Sequence, residues 1–225
     1  MTFSIAGHGA RSGAFGIAIA TSSIAVGARC PHARAGVGAV ASQNITDPAL
    51  GPLVLDFMRA GLTAGEALAK AVEGRDNIDY RQLTAVDRFG NVASWSGRHV
   101  LGRHAVSEQH DCVAAGNLLK STAVPEAMTS AFAANADEHL AERLLRSIEA
   151  GCEAGGEDGP IHSAALLVVH EHAFPLVDLR CDWDDAAPLA VLRRLWTDYA
   201  PQMQAYLIRA LDPSSAPSYG VAGNR

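Results

Sequence analysis

The chain has 225 residues, 18 Lys plus Arg against 24 Asp plus Glu, a formal charge of −6, and 48% hydrophobic against 19% charged residues. That length suits one domain, since single cores run to roughly 250 residues before they split, and the balance is that of an ordinary globular protein. A pI of about 5.8 leaves no basic field for a phosphate backbone, which argues against nucleic acid as a partner.

No apolar run approaches the ~18 residues of a membrane span, so no membrane partner is expected. The opening Met-Thr-Phe-Ser-Ile lacks the basic-then-apolar pattern of a signal peptide. Cys30, Cys112, Cys152 and Cys181 stand far apart with no CxxC. Free thiols and a cytoplasmic location are the expectation.

In chain order, Phe3 and Ile5 alternate with Ser4 and Ala6, and a turn follows at Arg11-Ser12-Gly13. Gly16 to Ala20 alternates again, Ile24 to Val26 continues β-like, and Arg34 to Gln43 reads as one further strand, so the first forty residues read as a meander. Thr46-Asp47-Pro48 then opens a helix carrying Leu50, Leu53, Val54, Phe57 and Met58 and ending at Gly61. Thr63 with Glu66 is a capping box for a second helix, stopped at Gly74. The period returns to two around Leu83, Ala85, Val92 and Trp95, on either side of a turn at Asp87 to Asn91.

A short strand is expected at Asp111 to Ala115, ending on Gly116-Asn117. Two more helices follow, Pro125 to Ala133 and Asp137 to Cys152, closed by Gly155-Gly156. Strands at Ala164 to Val169 and Leu176 to Asp182 flank a turn around His172 and Pro175. One last helix spans Pro188 to Leu211, with Leu195, Trp196, Tyr199, Met203 and Tyr206 as an apolar stripe suited to a homo-oligomer contact or to covering a sheet. Residues 1–212 are expected to form a single domain and 213–225 an arm or disordered tail. Hairpins alternating with helix pairs do not suit a doubly wound sheet. They suit an α+β fold, a four-layer αββα sandwich of two stacked antiparallel sheets.

Nine histidines invite a metal, but neither His170-Glu171-His172 nor His99, His104 and His110 shows the three-ligand spacing of catalytic zinc; no metal and no cofactor are expected. Phosphate-loop, dinucleotide, zincin and nucleophile-elbow motifs are absent. The N-terminus is more informative. Loss of Met1 would give Thr2 both a hydroxyl and a free α-amine, and an amine titrating near 7.7–8.0 can act as base at neutral pH. That pairing is one way of activating a hydroxyl nucleophile.

Thr2-Phe3-Ser4-Ile5, Ala25-Val26-Gly27, the run Ala33 to Gln43, Pro48 through Pro52, Arg81-Gln82, Gly116-Asn117, Ser163 through Val169 and Val177 to Arg180 together resemble a bacterial domain-of-unknown-function family in the N-terminal nucleophile (Ntn) hydrolase superfamily. The resemblance covers residues 2 to about 196. It implies the αββα sandwich, and an amidohydrolase cleaving a small amide or lactam-like metabolite. Carried over by position, it implies Thr2 as nucleophile, backbone donors at Ser42-Gln43 ahead of the first helix for the oxyanion, and Asn117 as a second donor. Many relatives carry a Lys where Thr21-Ser22-Ser23 stands, so Ser22 points to a variant, hydroxyl-relayed site or an inactive one. Arg34, Asn44 and Ser163 are assigned to substrate binding. Arg34 could equally pair with Asp178, Asp182 or Glu66. The alternative from another class is a non-catalytic small-molecule-binding or scaffold protein on the same fold.

Overall fold

The computed structural model describes residues 1–218. Among these residues ten strands form two antiparallel sheets. One contains β1 (Thr2–Gly9), β2 (Ala14–Thr21), β7 (Ala105–Gln109), β8 (Cys112–Asn117), β9 (Ser163–Val169) and β10 (Val177–Cys181), in the order β10-β9-β2-β1-β8-β7. The other contains β3 (Pro31–Arg34), β4 (Gly38–Asn44), β5 (Arg81–Asp87) and β6 (Val92–Ser96) in sequence order. The helices are α1 (Leu50–Arg59), α2 (Ala64–Val72), α3 (Val124–Ala134), α4 (Leu140–Glu153), α5 (Pro188–Tyr199) and α6 (Met203–Leu211).

Strand alternation sorts the core into three apolar clusters. Phe3, Ile5 and Leu166 meet Met128, Phe132, Leu144 and Leu192 of the helices. Their neighbours Ala6, Phe15, Ile17 and Ile19 point the other way, against Ala39, Ala41 and Val86 of the second sheet. Val40, Leu83 and Ala85 then pack beneath Leu50, Val54 and Leu68 of α1 and α2. Both faces of β1 and β2 are therefore buried along their whole length. Their alternating pattern reports two cores, not a core and a wet face.

Several expected elements hold. The Thr63–Glu66 capping box is formed on both sides, the Asp87 to Asn91 turn joins β5 to β6, and α3 and α4 pack as a pair. The first forty residues do not form a meander: β1–β2 and β3–β4 are hairpins of different sheets. Ile24 to Val26 is no strand. Ala25 adopts φ 54 and begins a 3₁₀ turn at Val26–Ala28 that carries the chain across. The expected strand at Arg34 to Gln43 is cut by a turn at Gly36, φ 67, where glycine meets a left-handed backbone without strain.

Strand β7 has no counterpart in the sequence reading, because Ala105 to Gln109 is short, polar and only half-buried. The long C-terminal helix breaks at Ala200–Gln202, since Pro201 cannot donate a backbone N–H. Leu192 and Trp196 are buried and α5 lies on β9 and β10, so this part of the stripe covers a sheet. Pro213–Ser215 forms a 3₁₀ turn; of the expected arm, residues 219–225 lie outside the described residues.

Candidate active site

Thr2 is the first residue of β1, in the middle of the six-stranded sheet. It stands opposite Thr21 on β2 and Asn117 on β8. Phe3 and Ile5 are committed to the helical side, so alternation turns Thr2 and Ser4 toward the four-stranded sheet. Thr2 is 5% exposed. Its hydroxyl donates to the Met1 carbonyl at 2.5 Å and lies 3.0 Å from the Thr21 hydroxyl. The Thr21 hydroxyl donates to the same Met1 carbonyl. Behind Thr21 stands the Ser23 hydroxyl at 3.2 Å, which accepts from Arg29 Nη2 at 3.0 Å. A line of hydroxyls, Thr2, Thr21 and Ser23, thus ends on a guanidinium.

A buried amide network lies beside this line, between the sheets. Ser4 Oγ donates to Gln43 Oε1 at 2.6 Å, and Gln43 Nε2 donates to Gln82 Oε1 at 2.9 Å. The same Gln82 oxygen accepts from Asn117 Nδ2 at 3.1 Å, while Gln82 Nε2 donates to Ser96 Oγ and the Gly116 carbonyl. Asn117 is fully buried, and its Oδ1 has no partner among the described residues. An unpartnered buried acceptor costs about 1–3 kcal/mol, which marks the end of β8 as a place where packing alone was not optimised.

Glu157 is the third component. It is 3% exposed, and neither carboxylate oxygen has a hydrogen-bond partner among the described residues. Burial pushes its carboxyl up to about 7, against the opposing pull of the Met1 ammonium and of the Ser22 backbone N–H, which approaches the carboxylate but falls short of hydrogen-bond geometry. It lines a cavity of about 410 Å³ together with Lys120, Cys152, Gly159, Ile161 and Asp185. The Met1 side chain rests on Gly159 so closely that a Cβ there would lie 2.6 Å from Met1 Cε.

Of the residues expected from sequence, Thr2, Gln43 and Asn117 come together with Thr21. Ser42 does not join them. Its N–H donates to the Cys30 carbonyl and its hydroxyl to the Asp47 carbonyl, on the face turned to α1. The hydroxyl of Ser22 makes no hydrogen bond among the described residues; the line runs through Thr21 and Ser23 instead. Ser163 pairs with Thr21 in the sheet, but its hydroxyl bridges the Ser23 carbonyl and the Val26 N–H. Asn44, at φ 73, ties the Tyr80 carbonyl to the Leu101 N–H. Arg34 pairs with Asp56 at 2.8 Å, not with Asp178, Asp182 or Glu66. It lines a separate cavity of about 690 Å³ near β10.

Thr21, Ser23, Gln82 and Glu157 carry no role in the sequence reading. Gln82 and Thr84 alternate with Leu83 and Ala85, a pattern that suits one wet face. Glu157 sits among Gly155, Gly156, Gly159 and Pro160, which looks like a solvated turn. Among the described residues no group of three or more His, Cys, Asp or Glu is placed to hold a metal ion. Burial pushes the Cys112 thiol up to about 12, so it stays protonated and is no rival nucleophile. Among the described residues no helix is long and apolar enough to cross a membrane.

The chain as a whole was compared with known proteins. Protein SPO2555 of Silicibacter pomeroyi, described with the family DUF1028, is 33% identical, with 88% of this chain and 86% of that chain covered at a TM-score of 0.82. Anbu, the ancestral beta-subunit, from Yersinia bercovieri is 11% identical over 91% of this chain and 97% of that one, at a TM-score of 0.37. Anbu from Hyphomicrobium sp. strain MC1 gives 13%, 97%, 100% and 0.40 in the same terms. These last two likenesses are too distant to carry an argument. No curated protein matches the chain. Residues 2–192 match the family described as "Family of unknown function (DUF1028)", and the chain belongs to that family.

Proposed function

We propose that the chain is an amidohydrolase of the N-terminal nucleophile type, acting on a small amide through Thr2 once Met1 has been removed. The observation that carries this reading is the Thr2 hydroxyl. It is buried at the start of a central strand and meets the Met1 carbonyl and the Thr21 hydroxyl at once. The apolar clusters on both sides of both sheets favour a single four-layer sandwich over residues 1–212, the architecture such an enzyme would use.

The chemistry follows from these groups. With Met1 gone, Thr2 Oγ bonds to the substrate carbonyl carbon as its proton passes to the Thr2 α-amine. The Thr21 hydroxyl, released from the Met1 carbonyl, donates to the oxyanion, in place of the committed Ser42 N–H. Collapse breaks the C–N bond, and the leaving amine takes the proton from the Thr2 ammonium. Water then attacks the ester, with the α-amine again as base, and the acid departs. Gln43, Gln82 and Asn117 hold the end of β8 and the start of β1 in register.

The test is a mass spectrum of the N-terminal peptide after incubation with an electrophilic β-lactone that acylates hydroxyl nucleophiles. Met1 absent and Thr2 acylated is the expected result. Met1 retained on most molecules, or Thr2 free and unmodified, would favour the binding-protein reading, because the Met1 carbonyl would then permanently occupy both hydroxyls.

A further inference from the structure

We infer that the recess beside Thr2 is a subsite for an α-aminoacyl group, with Glu157 receiving the substrate's free ammonium and Gly159 its unbranched apolar side chain. In the chain as it stands, Met1 is the internal occupant of that subsite. This rests on Thr2 being the nucleophile, and it specifies the substrate class: small amides of an amino acid whose α-amine is unblocked.

Two contacts of Met1 and the nearby charge of Glu157 describe the recess. Its carbonyl is held by the Thr2 and Thr21 hydroxyls. Its thioether lies on Gly159, where a Cβ would stand 2.6 Å from Met1 Cε and 3.0 Å from Met1 Sδ. Its ammonium makes no ion pair with Glu157, but stands near enough for its charge to oppose the effect of burial on that carboxyl. An aminoacyl group carries the same three features in the same order. Joined to Thr2 Oγ instead of Thr2 N, it differs from Met1 only in which Thr2 atom bears the acyl carbon.

Glu157 supplies an independent reason. A glutamate only 3% exposed, whose carboxylate oxygens make no hydrogen bond and have only the Ser22 N–H nearby, is rare unless a partner arrives with a ligand. Glu157 is among the residues lining the 410 Å³ cavity, whose other charged lining groups are Lys120 and Asp185. A free ammonium placed there gains a charge-assisted hydrogen bond, and an acylated amine leaves the carboxylate orphaned.

The test uses protein shown by mass to begin at Thr2. Hydrolysis of L-methionine p-nitroanilide is compared with that of its N-acetyl derivative. The free amine should be preferred by about 10- to 100-fold in kcat/KM, the range for one charge-assisted hydrogen bond, with the difference in KM, and Glu157→Gln should bring the ratio close to one. Binding of L-methioninamide and N-acetyl-L-methioninamide to a Thr2→Ala variant, by calorimetry, separates the two proposals. Preferential binding of the free amine without turnover by the wild type would sink the hydrolase reading and leave the subsite standing. Turnover without amine preference would overturn the subsite. A fall in kcat for both substrates in Glu157→Gln, with a shifted pH profile and no change in preference, would also overturn it, by showing that Glu157 serves the α-amine of Thr2 itself.

Discussion

The Thr2 and Thr21 hydroxyl oxygens lie 3.0 Å apart, across a register pair of the two central strands, and both hydroxyls donate to one carbonyl, that of Met1. The pairing is fixed by the hairpin between β1 and β2. Thr2↔Thr21 is the last pair of a ladder that begins at Gly9↔Ala14, so a slip of one residue in β2 would turn the Thr21 hydroxyl to the opposite face of the sheet and away from Thr2.

Thr21 is therefore the residue whose hydroxyl should matter most after Thr2. Thr21→Val preserves shape and removes the donor. The rate of Thr2 acylation by the β-lactone should fall about 100-fold, as for one lost oxyanion donor, while Thr21→Ser should retain most of it. An unchanged rate in the valine variant would remove Thr21 from the chemistry.

Glu157 makes stability depend on pH in a definite direction. Its carboxyl is raised by burial from 4.5 to about 7 in the folded chain. The protonated form thus favours folding below about 4.5, and that contribution disappears as pH rises through 7. In protein retaining Met1, Glu157→Gln should leave stability nearly unchanged at pH 4.5 and raise it at pH 8.5 by about 3 kcal/mol. Urea unfolding at the two pH values checks this; equal stability of the two proteins at pH 8.5 would contradict it.

Gln82 is the hub of the amide network, serving Gln43, Asn117, Ser96 and the Gly116 carbonyl. Gln82→Leu strands the Gln43 and Asn117 amide donors in a dry interior. The expected cost is about 2–4 kcal/mol in the denaturation midpoint analysis. A loss under 1 kcal/mol would mean that water or a rotated amide replaces the hub.

Arg193 fastens α5 to α4 by donating to Glu149 at 2.6 and 2.8 Å and to Glu142 at 2.7 Å, while Trp196 Nε1 donates to the same Glu142 oxygen. These partners hold the guanidinium firmly in its charged form, well above the ordinary arginine value. Arg193→Ala should cost about 1–3 kcal/mol, since it leaves two partly buried carboxylates facing each other. It should also speed amide hydrogen exchange in α5 before the rest of the chain. Uniform exchange across all helices would show that α5 is held by its apolar face alone.

Local rules written in the sequence determined the helices and most strands. Thr63 and Glu66 cap α2 because their side chains satisfy each other's backbone donors, wherever the helix lies. Gly90 and Asn91 turn the chain between β5 and β6 for equally local reasons. The position of Thr2 at the head of a strand was also legible, because Phe3 and Ile5 set the alternation from the first residues.

Only the tertiary structure decided which faces are dry. Period-two alternation is the same whether the second face meets water or another sheet, so the burial of Ser4, Gln43 and Gln82, and hence their need for one another, could not be read from it. The four-stranded sheet also commits the Ser42 N–H to Cys30, a pairing set by a strand boundary between Arg34 and Gly38 that the sequence pattern blurred. Glu157 stands furthest from sequence reading. A glutamate among glycines is an ordinary solvated turn until the loop that bears it is folded over the N-terminus, where desolvation and a nearby ammonium change what the same carboxyl can do.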